Sequence, residues 1–563
     1  MTSAHLSAVA QVRRRDKARA AAAYLAIALA VLSLVEPFFR PLQTLVPALL
    51  PEFLIQISRV YVIFGAFGLL VLAKYLRAGN RVAWAGSLGL LGLNTVLHLG
   101  KVSDLVVAVL SAGALIWLAC EHRAFPVRPG RAFTRRVLVV ALVVMSTATL
   151  IAAGVLVRHV RRTGQSFGDG LAEVFGTLDS ELHEPAAHPH VAALIALVFC
   201  LLGVIAWLFW DGLHPRRSGT REHRAARERA RAVFAAHGGG TLDYFALRDD
   251  KDWFFLHHSM VAYAVRGSVA LVSPDPIGPE AEREEVWAEF MLFAERQGLS
   301  VSVMGAAAQW LETYEASGLR PIYLGDEAIV ESGGFTLAGK KSKSLRQSHA
   351  RLLRAGYRIE HLMAPQVPAR LREQLLELST QSRQGEAERG FSMTLSRLFD
   401  PLDTELLLSI AFDADDAPQA FIQWVPAPAL DGWSLDVMRR STAEDLPGGL
   451  TDFIIIETIL MMAGQGRGGL GLNFAVLRDA VDPSAKASRL EKLVAKQASK
   501  HAQVASLYRF NAKYDPRWAP RYAAVGTVDL WLAQGLRIAQ AEGYAELPGI
   551  ERFAARGEGR TER

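Results

Sequence analysis

The stretch GWSLDVMRRSTAEDLPGGLTDFIII (432–456) reads as a strand over 433–440, a polar loop over 441–449 and a helix from about Leu450. Trp433, Leu435 and Val437 alternate with Ser434, Asp436 and Met438, the period-2 pattern of a strand. In a regular strand that alternation puts Asp436 on the face of Met438 and Arg440. Arg439 and Arg440 end the strand beside the loop. Pro447, Gly448 and Gly449 allow close backbone approach at the helix start, where free N–H groups and the helix dipole attract a phosphate or a developing oxyanion. An arginine here suits a phosphodiester, and Asp436 suits accepting a hydroxyl proton or holding an ammonium group. The same residues also suit a plain salt bridge between neighbours.

Working outward, residues 241–546 alternate short strand-like and helix-like stretches, as in an α/β or α+β domain. Strands are expected at 253–257, 261–265, 268–272, 300–304, 320–324, 328–331, 357–362, 418–425, 433–438 and 470–476. Helices are expected at 280–297, 307–317, 340–355, 367–382, 393–399, 402–408, 450–464, 484–503 and 529–542. This divides into a first lobe (241–338), a linking basic helix (339–356) and a second, catalytic lobe (357–546), followed by a polar tail (547–563). The linking helix, GKKSKSLRQSHARLLRAG (339–356), has no acidic residue and suits RNA phosphates or lipid headgroups, or simply a solvated face.

The other half of the chain is apolar. The 563 residues are 51% hydrophobic and 21% charged, with net charge +6, which excludes a disordered chain. Apolar runs near 20–38, 58–76, 82–99, 103–120, 137–157 and 191–211 approach the ~20 residues a spanning helix needs. They imply a transmembrane domain over 20–212 between a cytosolic tail (1–19) and a basic linker (213–240). Residues 41–57 read as an interfacial or re-entrant segment. Lys and Arg concentrate in 13–19, 74–81, 123–136 and 216–231, placing the N-terminus and the later domain in the cytoplasm of a plasma-membrane protein. The arginines of 216–231 suit either the inner leaflet or a solvated linker helix.

Several chemistries are disfavoured. Cys120 and Cys200 are the only cysteines and read as buried thiols, not as a zinc site or disulfide. His183, Glu184, His188 and His190 are interrupted by Pro185 and Pro189 and read as surface residues, so no metal is expected. GxxxxGK[ST], GxSxG and HExxH are absent. GQGRGGLG (464–471) follows a helix and precedes a strand, the wrong order for a phosphate cradle, and reads as a turn.

Strand, loop and anion-receiving helix together form the central element of an acetyltransferase-like (GNAT-type) fold, but the coenzyme A loop pattern [RQ]xxGx[GA] is missing. GDEAIVE (325–331), GFTLAGKKSKSLRQSHARLLRAGY (334–357), RGFSM (389–393), GWSLDVMRR with PGGLTDF (447–453), LGLNFAVLR (470–478) and LYRFNAKYDPRWAPRY (507–522) resemble, in this order, the phosphatidylglycerol lysyltransferase C-terminal domain of the aminoacyl-phosphatidylglycerol synthases. The resemblance runs from about Asp243 to Tyr522. It implies tandem acetyltransferase-like lobes that move an aminoacyl group, lysyl or alanyl, from charged tRNA to the hydroxyl of phosphatidylglycerol, with no coenzyme A or other cofactor. The family's Asp-x-x-Arg falls on Asp436 and Arg439, and its late Lys on Lys513. Asn473 is a candidate oxyanion donor. Arg440, Gly448, Gly449, Asp452, Lys513, Lys340, Arg346 and Ser392 are candidate contacts to tRNA or lipid. Asn511 departs from a position that resembles Lys in many members. No fused lysyl-tRNA synthetase is evident, so a separate synthetase is expected to supply the donor. Transfer to another lipid such as diacylglycerol, acyl-CoA-dependent N-acylation, and a non-catalytic membrane scaffold or transporter remain alternatives.

Overall fold

The computed structural model describes residues 3–35, 66–99 except 67 and 71, 105–127, 220–383 except 341, 390–476 except 444 and 445, 503–526, and residues 534, 535, 537, 538 and 541. The chain divides into two units, one built on residues 10–217 with 292–300, the other on 218–291 and 301–563 with the first nine residues.

In the first unit the described helices include α1 (Ser3–Val35), α2 (Arg81–Leu99) and α3 (Leu105–Cys120). α2 and α3 are joined by buried polar groups: Asn94 Nδ2 donates to Ser111 Oγ at 3.0 Å, and Trp84 Nε1 to the Leu118 carbonyl at 2.8 Å. Among the described residues no helix is long and apolar enough to cross a membrane. The described parts of the apolar runs at 20–38, 82–99 and 103–120 are helical, but that of α1 stops at Val35 and α3 has 16 residues. The runs at 137–157 and 191–211, most of 58–76, the 41–57 segment and the histidine loop lie outside the described residues. Cys120, the last residue of α3, is exposed rather than buried, while Cys200 lies outside the described residues.

The second unit opens with α4 (Thr220–His237). Its sheet elements are β1 (Asp252–Leu256), β2 (Ser259–Arg266), β3 (Val269–Val272), β4 (Ser300–Ala307), β5 (Arg320–Glu331), β6 (Arg358–Met363), β7 (Leu407–Phe412), β8 (Pro418–Ala427), β9 (Gly432–Arg440), β10 (Gly469–Val476) and β11 (Arg517–Val525). Interleaved are α5 (Arg283–Gln297), α6 (Leu311–Ala316), α7 (Lys343–Arg354), α8 (Ala369–Arg383), α9 (Leu450–Gly464) and α10 (Gln503–Ala512). The strands form one sheet in the order β1-β2-β3-β4-β11-β5-β10-β9-β8-β7-β6.

The lobes expected at 241–338 and 357–546 are therefore two halves of a continuous sheet, and the later segment returns β11 between β4 and β5 of the earlier one. The runs expected as two strands at 320–324 and 328–331 are the single β5. The stretches read as helices at 393–399 and 402–408 are turns followed by β7. LLSIAF is buried at every position, and a strand covered on both faces loses the alternation that distinguishes it from a helix. β11 was masked by Pro520, which is tolerated in this central strand beside a register shift at Arg521/Tyr522. The expected helix 484–503 lies almost wholly outside the described residues.

Two apolar cores cover the sheet faces. One packs Phe421, Val425 and Val437 with Leu375 and Leu378 of α8, Leu395, and Phe234 of α4. The other packs Trp424, Trp433 and Leu435 with Leu450, Phe453 and Ile456 of α9 and Leu345 and Leu352 of α7. α4, read from sequence as a linker, is docked into this domain. Arg231 binds Asp403 at 2.5 Å, Arg227 binds Asp400 at 3.0 Å, and Arg229 stacks over Phe255. Arg227, Arg229 and Arg231 thus engage this domain itself. Asp403, 1% exposed, also takes Arg397 at 2.7 Å and the Tyr244 hydroxyl at 3.1 Å. Asp403→Ala removes the buried acceptor shared by Arg231, Arg397 and the Tyr244 phenol, and should cost about 3–5 kcal/mol in chemical denaturation; loss below about 1 kcal/mol would mean the network is not a tether.

Candidate active site

Asp436 does not lie where simple alternation puts it. Across the β8–β9 ladder Gln423 pairs with Val437 and Trp424 with Leu435, so Asp436 is an extra, bulged residue. The bulge reverses the faces beyond it. Leu435 packs in the α9 core, whereas Val437 packs in the α8 core. Asp436 joins the α8 side, and so does Arg439, whose Nε reaches Ser379 of α8 at 3.3 Å. In a regular strand residues three apart face opposite ways; here the bulge places carboxylate and guanidinium on one face. The expected partnership of Asp436 with Met438 and Arg440 is corrected accordingly: Met438 packs in the α9 core, and Arg440 is exposed with its N–H toward Ser382 Oγ.

Asp436 is 6% exposed. Its Oδ1 accepts the Leu395 N–H at 2.8 Å and its Oδ2 the Gln423 Nε2–H at 2.7 Å. Burial pushes its carboxyl up to about 6, although Gln423, the Leu395 amide, the Thr394 hydroxyl and nearby Arg397 all pull it down. The segment 390–395 is held in turn by Arg248, which donates to the carbonyls of Gly390 and Thr394 at 3.1 and 2.9 Å. Ser392 is fully buried within this segment. Its place is beside the backbone that positions Asp436.

The expected anion site lies on the other face. Gly449 caps α9 with φ +90°, and a Cβ there would fall 1.9 Å from Ser348 Oγ, so glycine is required twice over. Arg351 Nη2 donates to the Gly448 carbonyl at 2.5 Å. Asp452 occupies the first turn of α9, where its negative charge already answers the helix dipole, and it binds Lys513 Nζ at 3.0 Å and the Tyr514 hydroxyl at 2.5 Å. Burial and Asp452 hold the Tyr514 phenol well above its usual range. On α7, Arg346 donates to the carbonyls of Leu337 and Gly339; Lys340, in the turn before α7, is exposed. Asp436 and Arg439 thus form one group, while Gly448, Gly449, Asp452 and Lys513 form another across the sheet.

Asp436 and Arg439 lie on the part of β9 beyond its pairing with β10. β9 and β10 pair in parallel only at Trp433–Leu470 and Ser434–Gly471, although β9 continues to Arg440 and β10 to Val476. β10 has its own irregularity between Gly471 and Phe474, where Asn473 takes φ +63°. Backbone groups beyond these points are left out of the β9–β10 ladder.

Sequence reading missed Gln423, Leu395 and Arg248, which set the state of Asp436. A signal existed for Gln423, a lone amide in the apolar run AFIQWV, since buried polar groups need partners.

The domain thus carries a buried carboxyl, pushed up to about 6, on the same face of its sheet as Arg439. The phosphatidylglycerol lysyltransferase, C-terminal, family matches residues 231–525, and the chain belongs to it. It is 32% identical over 383 residues to the lysylphosphatidylglycerol biosynthesis bifunctional protein LysX of Mycobacterium ulcerans, covering 66% of this chain and 34% of that protein. The LysX of Mycolicibacterium vanbaalenii is 29% identical over 507 residues, 86% of this chain and 46% of the relative. The chain thus spans less than half the length of these relatives. Its fold matches the C-terminal domain of a protein assigned as a lysylphosphatidylglycerol synthetase from Agrobacterium fabrum, with TM-score 0.50, 23% identity, and coverage of 57% of this chain and 99% of that one.

Replacing Gln423 with Leu removes the 2.7 Å donor, so the Asp436 carboxyl should titrate about one unit higher by carboxyl carbon NMR; an unchanged or lower midpoint would contradict this account of the site.

Proposed function

We propose that the chain is a membrane-bound aminoacyltransferase that moves an aminoacyl group, lysyl or alanyl, from charged tRNA to a hydroxyl of phosphatidylglycerol, on the cytoplasmic side of the plasma membrane. The observation that carries this reading is the buried Asp436, basic enough to take a proton near neutrality and sharing a face with Arg439. Membership of the family and the names of the LysX relatives support the substrate class.

In the proposed reaction the lipid hydroxyl attacks the ester carbonyl carbon of the aminoacyl-tRNA while Asp436 accepts the hydroxyl proton. The tetrahedral intermediate collapses, the new lipid ester remains, and the bond to the ribose oxygen breaks. Asp436 returns its proton to that oxygen, so no cofactor or further energy source is required. Arg439 pairs with a phosphate of the lipid or the tRNA end. Asn473 or backbone N–H groups at the parting of β9 and β10 stabilise the oxyanion, at a few kcal/mol per donor. Lys340, Lys513 and the exposed side of α7 face the tRNA acceptor stem, and a separate synthetase charges it. The apolar N-terminal part keeps the domain at its lipid substrate.

Protein in phosphatidylglycerol vesicles, given radiolabelled lysyl- and alanyl-tRNA, should carry label into the organic phase. Asp436→Asn should lower the rate about 10²–10⁴-fold. Because the ionised form is the base, the wild-type rate should fall as pH drops through about 6. Label that stays aqueous with every charged tRNA, or full activity in Asp436→Asn, would overturn the reading.

A further inference from the structure

A strap of chain, residues 390–397, meets Asp436 and is held at both ends by residues far from the catalytic strand. It runs as a turn followed by irregular backbone. Its two buried apolar side chains enter different cores. Phe391 is fully buried with Ala264 of β2, Leu271 of β3 and Met304 of β4. Leu395, 1% exposed, packs with Phe421 of β8, Val437 of β9 and Leu375 of α8. The groups that meet the carboxylate, the Thr394 hydroxyl and the Leu395 amide, come at the second of these anchors.

Residues 247–251 grip the strap at three places. Arg248 donates to the carbonyls of Gly390 and Thr394 at 3.1 and 2.9 Å. The Leu247 carbonyl accepts from Arg397 at 3.0 Å, and Asp249 takes the same guanidinium at 3.2 Å. Lys251 is fully buried. Its Nζ donates to the carbonyls of Phe245 at 2.9 Å and Ser273 at 2.6 Å, and it stands 4.5 Å from the centroid of the Phe391 ring. A buried ammonium group is costly without such partners. Two carbonyls and the face of a ring fix it in place, and the ring is fixed with it.

The backbone after Leu395 is strained. Ser396 and Phe399 take φ +57° and +56°, a left-handed conformation that is unfavourable for a side chain, above all a bulky one. Such a backbone persists only where its surroundings over-determine it. Thr394 Oγ accepts the Ser396 N–H at 3.2 Å, and Gln423 Nε2 donates both to the Arg397 carbonyl at 3.1 Å and to Asp436. Releasing one anchor lets the strap relax away from the carboxylate.

We propose that Phe391 and Lys251 are positioning residues for Asp436: they pin the strap, so that the Leu395 amide and the Thr394 hydroxyl stay on the carboxylate and water stays off it. This rests on the reading of Asp436 as the proton acceptor and extends the site to residues that act through the strap.

The sign of the effect follows from the largest influence on the carboxyl. Burial raises Asp436 to about 6 against the pull of its donors. A loosened strap admits water, which removes the burial and replaces the lost donors, so the carboxyl falls toward the ordinary aspartate range. The charged groups around it include Arg397, which keeps its pairs with Asp249 and Asp403, and Arg439 of β9 on the same face. β8 contributes the Gln423 amide, and α8 the Ser379 hydroxyl that meets Arg439. Both arginines stay protonated throughout this range.

The test uses the full chain in lipid nanodiscs. The Asp436 midpoint is read by carboxyl carbon NMR, and transfer to vesicle lipid is measured against pH in parallel. Phe391→Ala should lower the midpoint by about one pH unit, move the acid limb of the rate profile equally, and cut the plateau rate about tenfold. Phe391→Val, which leaves a smaller cavity, should move both midpoints the same way by about half as much and covers the case in which Phe391→Ala does not fold. Lys251→Met, which keeps the length of the side chain without its charge, should also lower both. Phe391→Leu retains an apolar plug and should keep the wild-type midpoint to within about 0.3 pH unit. Phe290→Leu, a change in the buried aromatic cluster of Trp287 and Phe254, should lower stability and leave both midpoints in place. A midpoint that stays or rises in Phe391→Val and Lys251→Met overturns the proposal, as does a rate lowered equally at every pH. If wild type carries label to lipid and the variants leave the midpoint unmoved, the positioning role falls and the transferase reading stands. If the midpoint moves as expected but no charged tRNA gives transfer, the strap does hold Asp436 and the transferase reading falls.

Discussion

One extra residue in β9 sets the chemistry of this domain. Without the bulge at Asp436, the carboxylate and Arg439, three residues on, would face opposite sides of the sheet. The bulge turns both toward α8, where Gln423 and the Leu395 amide hold the carboxylate buried yet hydrogen-bonded. Desolvation and these donors oppose each other, and desolvation wins, leaving a base poised near physiological pH rather than a fully ionised surface acid. The rest of the structure supports that balance. Arg248 fixes the 390–395 turn, and the Asp403 cluster fixes α4 and Arg397 beside it.

The continuous sheet matters for the same reason. β11 enters between β4 and β5, and β5 then borders β10. Arg521 on β11 and Glu327 on β5 therefore form a buried pair beside the point where β9 and β10 part. Residues far apart in the chain converge there: Glu327 and Ser434 both border Gly471. Two independent lobes joined by a helix would not bring them together. A buried pair of this kind contributes little net stability, but removing either partner leaves an uncompensated charge, so it locks the placement of β11.

Much of the strand–loop–helix unit at 432–456 was legible in sequence because period-2 alternation, a Pro-Gly-Gly loop and a long apolar helix each leave a local mark. The basic helix near 343–354 was legible as well. Less legible was β7, whose run LLSIAF is covered on both faces and has no alternation. The arginines of α4 read as a linker because sequence shows their charge but not the aspartates from 400 onward that meet them.

The sequence by itself determined the family, the candidate carboxylate and arginine, and the division into an apolar N-terminal part and an α/β domain, since motif order and residue periodicity are properties of the chain alone. Tertiary structure decided which face Asp436 and Arg439 occupy, that Asp452 already occupies the start of α9, and that Glu327 and Ser434 meet at Gly471. Bulges and strand insertion depend on long-range pairing, and burial, which sets the basicity of Asp436, exists only once distant segments have packed.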